Sequence, residues 1–307
     1  MNGFQFRFVK FRIATRPQRV GIDSAASCAA SIKAFHAKSL EQSVRIMLTP
    51  DPKTAPLVRL AHVRKEFANG TVALEDLNMD VREGEFLSLL GPSGCGKSTA
   101  LRLVAGLADV SAGTISWPTG GSAKSDIGFV FQEPTLMPWA DVFNNVFLPL
   151  KLRGMSKAAA EPKIRETLAL VGLADFAHVY PRELSGGMRM RVSIARALVT
   201  EPKLLLMDEP FAALDEITRF KLNDDLLRLK AARNVTVVFV THSVYESAYL
   251  STRIIVMAAR PGRVVADLAV QAPYPRDEAF RSTFLYTETC KAASQALHGA
   301  MEAHEHL

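Results

Sequence analysis

An α/β fold is what this sequence predicts: a mainly parallel sheet flanked by helices, with an antiparallel β layer beside it and a helical subdomain inserted. Three observations carry that expectation. From Phe86 to Met257, apolar runs of strand length alternate with helical segments, the pattern of a doubly wound sheet. Ahead of them Leu57 to Val63 and Val72 to Val81 alternate as two strands around the turn Ala68-Asn69-Gly70-Thr71, which reads as an antiparallel layer. Between Glu133 and about Tyr180 the strand signals stop and helical periodicity takes over, at Asp141 to Leu152 and again at Pro162 to Val171.

The 307 residues are 48% hydrophobic and 22% charged, which describes an ordinary globular chain with a sizeable core. The formal net charge of +6 is concentrated in residues 1–50, where Arg7, Lys10, Arg12, Arg16, Arg19, Lys33, Lys38 and Arg45 face only Asp23 and Glu41. The body is therefore neutral, and no nucleic-acid partner is expected. Residues 1–55 read as a basic, disordered extension, or as the product of a start assigned too early with Met47 as the true beginning. Being acid-poor and Arg-rich they also resemble an organelle transit peptide. Cys28, Cys95 and Cys290 are too far apart for a disulfide framework or a CxxC pair, so a reducing compartment is expected. No stretch approaches the roughly 18 apolar residues of a membrane span, so any action at a membrane runs through partners.

The chemistry starts at Gly91-Pro92-Ser93-Gly94-Cys95-Gly96-Lys97-Ser98-Thr99, between the apolar run Phe86-Leu87-Ser88-Leu89-Leu90 and the helical run Ala100 to Gly106. Strand, glycine loop and helix in that order make a phosphate cradle. The glycines let backbone N–H groups converge, the helix N-terminus adds positive potential, Lys97 can reach the outer phosphates and Ser98 can hold a magnesium ion. This is the full P-loop pattern, so a P-loop NTPase core is expected. Because Cys95 sits inside the loop, alkylation of its thiol is expected to inhibit hydrolysis, with ATP protecting.

Phe67 precedes the first turn, where its ring could stack on adenine or simply join the core. Gly113 to Trp117 reads as a strand and Pro118 to Ser125 as a loop, and the buried run Ile127 to Gln132 ends in an amide at a sheet edge where ligands collect. Pro134-Thr135-Leu136-Met137-Pro138-Trp139 opens the helical insertion, over about 133–184, as an apolar docking or packing segment. Ser185-Gly186-Gly187 then begins another helix able to hold an anion. Leu204 to Asp208 is a buried strand delivering Asp208 and Glu209, one carboxylate for magnesium through water and one to polarise the attacking water. Asp215 precedes a helix over Glu216 to Lys230, and the strand Val235 to Thr241 ends at His242. Arg260-Pro261-Gly262-Arg263 turns into a last strand, and residues 271–307 read as a polar helical tail whose His298, His304 and His306 are solvated.

Taken in order, the phosphate loop, Gln132, Leu184-Ser185-Gly186-Gly187, Asp208-Glu209, Ala213-Leu214-Asp215 and His242 resemble the ATP-binding subunit of an ABC transporter, over about Leu57 to Asp267. Within that family, Phe131 to Trp139 and Arg260 to Arg263 resemble the branch serving nitrate, sulfonate, taurine and related importers. Met188 stands where the signature usually has glutamine, as it does in that branch.

The resemblance implies the ABC ATPase fold over 56–270 and a set of roles. Phe67 would stack on adenine, and the loop Gly91 to Thr99 would hold the phosphates of ATP with Lys97 on the outer two. Ser98 and Gln132 would coordinate Mg2+, with Asp208 bound to it through water. Glu209 would be the general base and His242 the contact to the γ phosphate. Ser185, Gly186 and Gly187 would complete the ATP site of a second copy, with Asp215 linking the two sites. It also implies a polytopic membrane permease as partner, a solute-binding protein indirectly, and a peripheral place on the cytoplasmic face of the inner membrane, powering uptake of a small anionic solute. The alternatives are an ABC exporter subunit, or a soluble ABC-type ATPase that moves no solute. Paired Asp208-Glu209 and the intact signature argue against a P-loop kinase.

Overall fold

The computed structural model describes residues 56–118, 126–274 and 276–305, with side chains as far as Met301. The expectations for 1–55, for most of the loop Pro118 to Ser125 and for His304 and His306 lie outside the described backbone or side chains.

Two sheets form the frame. The strands β1 (Pro56–Glu66), β2 (Val72–Arg82) and β4 (Ala112–Ser116) make an antiparallel layer in the order β2-β1-β4. The run expected as a strand at Gly113 to Trp117 therefore belongs to this layer. Gly113 permits it, since its φ of 83° is left-handed and an added Cβ would collide with the His62 carbonyl of β1.

The second sheet runs β5-β6-β7-β3-β8-β9, comprising β5 (Ile127–Val130), β6 (Leu204–Asp208), β7 (Thr236–Thr241), β3 (Phe86–Leu90), β8 (Arg253–Ala258) and β9 (Arg263–Ala269). All neighbours are parallel except β8 and β9. The central strands β3, β6, β7 and β8 are buried along their whole length, as the unbroken apolar runs require of a sheet covered on both faces. Because β5, β6, β7 and β3 are parallel neighbours, the residues that follow their carboxyl ends are delivered to one edge.

Helix α1 (Lys97–Val104) starts three residues earlier than the apolar pattern indicates, which puts Lys97 and Ser98 in its first turn. Helices α2 (Val142–Leu152) and α3 (Lys157–Leu170) form the insertion, capped by Asp141 and Ser156. Sequence reading starts the second helix at Pro162, where the helical periodicity begins. Instead Ser156 caps it and Pro162 lies inside, where the helix gives up one backbone bond. Helices α4 (Gly186–Leu198), α5 (Glu216–Arg233) and α6 (Val244–Leu250) follow their strands or loops.

The last helix, α7 (Phe284–Glu305), is not a free polar tail. It buries Ala293 and Ala300 in a cluster with Ile254 and Val256 of β8 and with Val270. His298 is exposed, as expected.

Candidate nucleotide site

Four strand ends assemble the site. Beyond β3, Gly91 is buried so tightly that an added Cβ would lie 2.6 Å from the Met257 carbonyl and 2.7 Å from Cys95 Sγ, so only glycine fits. Gly94 and Gly96 have φ of 79° and 88°, which turns the loop into the start of α1. Lys97 is 4% exposed, and its ammonium donates to the carbonyls of Gly91 (2.8 Å) and Pro92 (2.9 Å). Its chain is thereby held against the loop, with Glu209 Oε1 3.8 Å away.

Beyond β6, Asp208 and Glu209 point to different tasks. Ser98 Oγ donates to Asp208 Oδ1 at 2.6 Å, bringing together two oxygens that a magnesium ion would use. Burial pushes the Asp208 carboxyl above its ordinary range, against the Ser98 hydrogen bond and the charge of Arg102, which pull it down. Glu209 has φ of 44°, a left-handed backbone that costs a residue with a Cβ about 1 kcal/mol. Two backbone bonds fix it: its N–H donates to the Val240 carbonyl (3.1 Å) and its own carbonyl accepts from Ala212 (3.2 Å). The carboxylate is thus held between Lys97 on one oxygen and His242 Nδ1 on the other, at 3.3 Å. His242 follows β7 and is half exposed.

Phe67, Ser93, Gly94, Gly96, Lys97, Ser98, Thr99, Gln132 and Glu209 line one cavity of about 540 Å³, together with Thr71, Val72, Ala73 and Arg260. Phe67 is 44% exposed, on the cavity wall and not in the core. Gln132 lies two residues past the end of β5, so the amide sits on a loop, while Phe131 is partly exposed.

Cys95 corrects one expectation. Its side chain is fully buried beneath Gly91, with its sulfur 3.8 Å from the Lys97 ammonium, and burial pushes the thiol up, so it is poorly placed for alkylation.

Ser185, Gly186, Gly187 and Asp215 do not line this cavity. They form a second cluster, where α4 and α5 begin side by side. Ser185 Oγ accepts from Met188 N–H (3.3 Å) and Asp215 Oδ1 from Thr218 N–H (2.9 Å). A Cβ on Gly187 would meet Thr218 Cγ2 at 2.7 Å, and one on Gly186 would meet Leu214 at 3.3 Å. Ser185 and Asp215 are exposed, so the cluster faces outward.

Two polar residues that carry no local sequence signal fix the segment Pro134 to Trp139. Asn145, fully buried on α2, accepts from Met137 N–H (2.8 Å) and donates to the carbonyls of Ala140 (2.9 Å), Asp141 (3.0 Å) and Met137 (3.2 Å). Arg196 on α4 donates to the carbonyls of Thr135 (2.8 Å) and Pro134 (2.9 Å). The loop they hold presents Trp139, which is 77% exposed.

Comparison with known proteins shows the family. Residues 74–212 match the ABC transporter family. An aliphatic sulfonates import ATP-binding protein of Pseudomonas syringae pv. syringae is 42% identical over 255 residues, 82% of this chain and 99% of that protein. This chain belongs to the ABC transporter ATP-binding family. An ATP-binding protein of Brucella abortus is 48% identical over 215 residues, covering 69% of this ABC subunit and 82% of the relative. Among solved structures, the CbiO1 protein of Clostridium perfringens, described as part of an ABC transporter complex, superposes with TM-score 0.64 at 27% identity over 70% of this chain and 88% of its own. A dimeric bacterial ABC transporter cassette superposes with TM-score 0.62 at 33% identity over 70% of this chain and all of its own. The same cassette is known with ADP and phosphate after hydrolysis. The ABC subunit described here is accordingly an ATPase. Among its described residues, no helix is long and apolar enough to cross a membrane.

Proposed function

We propose that this chain is the ATP-hydrolysing subunit of an importer for a small anionic solute of the nitrate, sulfonate or taurine kind, working through a separate polytopic permease with a solute-binding protein upstream. The observation that carries the reading is the Glu209 carboxylate, set in a fixed backbone between Lys97 and His242 on the wall of the phosphate-loop cavity. Named relatives support the transport side, several being aliphatic sulfonates import ATP-binding proteins.

In this reading Phe67 stacks on adenine, the loop Gly91 to Thr99 holds the phosphates and Lys97 neutralises the outer ones. Glu209 takes the proton of the attacking water while His242 steadies the γ phosphate. Ser98, Gln132 and Asp208 would hold Mg2+. They are an oxygen set with a single carboxylate, which suits an ion that completes its shell with water and phosphate oxygens. Bound there, the ion offsets charge developing on the transferred phosphoryl group. Among the described residues no cluster of three or more His, Cys, Asp and Glu offers a rival metal site.

Because Ser185 and Asp215 are exposed and do not line the cavity that Lys97 lines, the site is completed by a second copy, each copy supplying the start of α4 to the other. Closure on ATP is passed through the Gln132 loop and the helical insertion to the permease, with Trp139 as the docking side chain, at the cytoplasmic face of the inner membrane.

The test is Glu209→Gln. It should keep ATP binding, lower hydrolysis at least about a hundredfold, a loss that acid–base catalysis readily accounts for, and leave an ATP-bound dimer visible by size exclusion. Unchanged turnover would remove Glu209 from the mechanism.

A further inference from the structure

The turn Arg260-Pro261-Gly262-Arg263 after β8 has a place in the fold that its turn-forming composition does not explain. Gly262 N–H donates to the Ala73 carbonyl at 3.0 Å, and its own carbonyl accepts from Glu75 N–H at 3.0 Å. An added Cβ at Gly262 would press on the Cys95 carbonyl and lie 2.8 Å from the Ala73 carbonyl. The turn is therefore stitched to the start of β2 and to the phosphate loop at once. That attachment sets Arg260, whose backbone is left-handed at φ 53°, on the wall of the nucleotide cavity with Phe67, Val72 and Ser93. A left-handed arginine costs about 1 kcal/mol that many turn residues would avoid, so the turn itself does not call for arginine.

Arg260 is exposed, and among the described residues no carboxylate pairs with it. Arg253, at the other end of β8, is by contrast locked to Asp267 by two bonds of 2.7 Å. The other cation lining the cavity is Lys97, whose ammonium is already held by two loop carbonyls. An unpaired guanidinium on the wall of a pocket that takes a polyanion is placed to bind phosphate, for which its planar fork is well suited.

We infer that Arg260 is a nucleotide-binding residue, adding positive charge for the phosphates of ATP and ADP from the side of the cavity that carries Phe67. This rests on the reading that the cavity holds ATP. The substitutions Arg260→Gln and Arg260→Lys are made in the full chain, with affinities for ATP, ADP and adenosine measured by calorimetry at two salt concentrations, and with Lys97→Ala as reference.

Arg260→Gln should weaken ATP and ADP about tenfold and reduce the salt dependence of binding, as loss of one phosphate contact does. It should leave adenosine unchanged and leave the melting temperature where it was. Arg260→Lys should stay within about threefold of the unmodified chain. ATP affinity equal to the unmodified chain in Arg260→Gln would overturn the inference. So would equal losses in Lys and Gln with adenosine weakened too, which would make the residue a stacking partner of the base. If the unmodified chain and Lys97→Ala bind ATP equally poorly, the reading of the cavity itself has failed.

Discussion

Replacing Asn145 by aspartate is expected to damage the loop Pro134 to Trp139 more than replacing it by alanine. Asn145 is fully buried, accepts one hydrogen bond from Met137 and donates to the carbonyls of Ala140, Asp141 and Met137. Alanine removes all four and leaves the Met137 N–H and Ala140 carbonyl without that partner. At about 1–3 kcal/mol for each group stranded away from water, and with partial relief from solvent near exposed Trp139, the loss is about 3 kcal/mol. Aspartate keeps the acceptor for Met137 but turns an acceptor oxygen, and a charge, toward carbonyl oxygens that need a donor. The added repulsion and desolvation should cost about 1–2 kcal/mol beyond alanine at pH 8. Protonation restores the donor, so the folded pKa of the introduced carboxyl is raised. Its stabilising protonated form is then fully present below the unfolded carboxylate value of about 3.9 and is lost as pH rises through the folded value. Urea unfolding of Asn145→Asp and Asn145→Ala at pH 8 and pH 5 reads this directly: the aspartate variant should lie below the alanine variant at pH 8 and close the gap at pH 5. Equal midpoints at pH 8, or a gap that does not change with pH, would refute the assignment of Asn145 as donor to the loop.

Other outcomes follow from the same geometry. Maleimide should label Cys95 slowly in native buffer and rapidly only in denaturant, because the thiol is buried and pushed up; fast native labelling would contradict the placement under Gly91. Burial raises the Glu246 carboxyl, against the Thr241 hydroxyl and Arg219. Stability contributed by protonated Glu246 is therefore lost as pH rises through its raised value, whereas Glu246→Gln, still able to accept from Thr241, should show a flatter stability profile across that window. Trp139→Ala removes a side chain that is 77% exposed, so stability should stay within about 0.5 kcal/mol and ATP affinity should not change, while solute uptake falls relative to hydrolysis.

How much of this was legible in the sequence depended on whether the cause was local. The phosphate loop, Asp208-Glu209 and the strand before His242 are contiguous patterns, and an unbroken run such as Leu204 to Met207 leaves little choice but a buried strand. The left-handed backbone of Glu209 was not legible, since it is imposed by hydrogen bonds to β7 and Ala212. The same holds for Asn145 and Arg196, whose partners are mostly backbone groups and so leave no compositional trace. The second helix begins earlier than its apolar periodicity because Ser156, six residues before Pro162, caps it, a polar signal that periodicity does not register. Residues 284–305 looked solvated because alanine contributes little to an apolar pattern, yet Ala293 and Ala300 let the helix lie close on β8.

The central claim is that each ATP site is shared between two copies, one supplying Lys97 and the other Ser185. It is tested most directly by mixing two inactive variants, Lys97→Ala and Ser185→Arg. In a mixed dimer one site carries both defects and the other carries neither, so hydrolysis should reappear on mixing, at about a quarter of the unmodified rate if copies pair at random and sites act independently. Each variant alone should remain inactive at every concentration. A mixture as inactive as its components would contradict the shared site, and activity of Ser185→Arg alone would show that a single copy suffices.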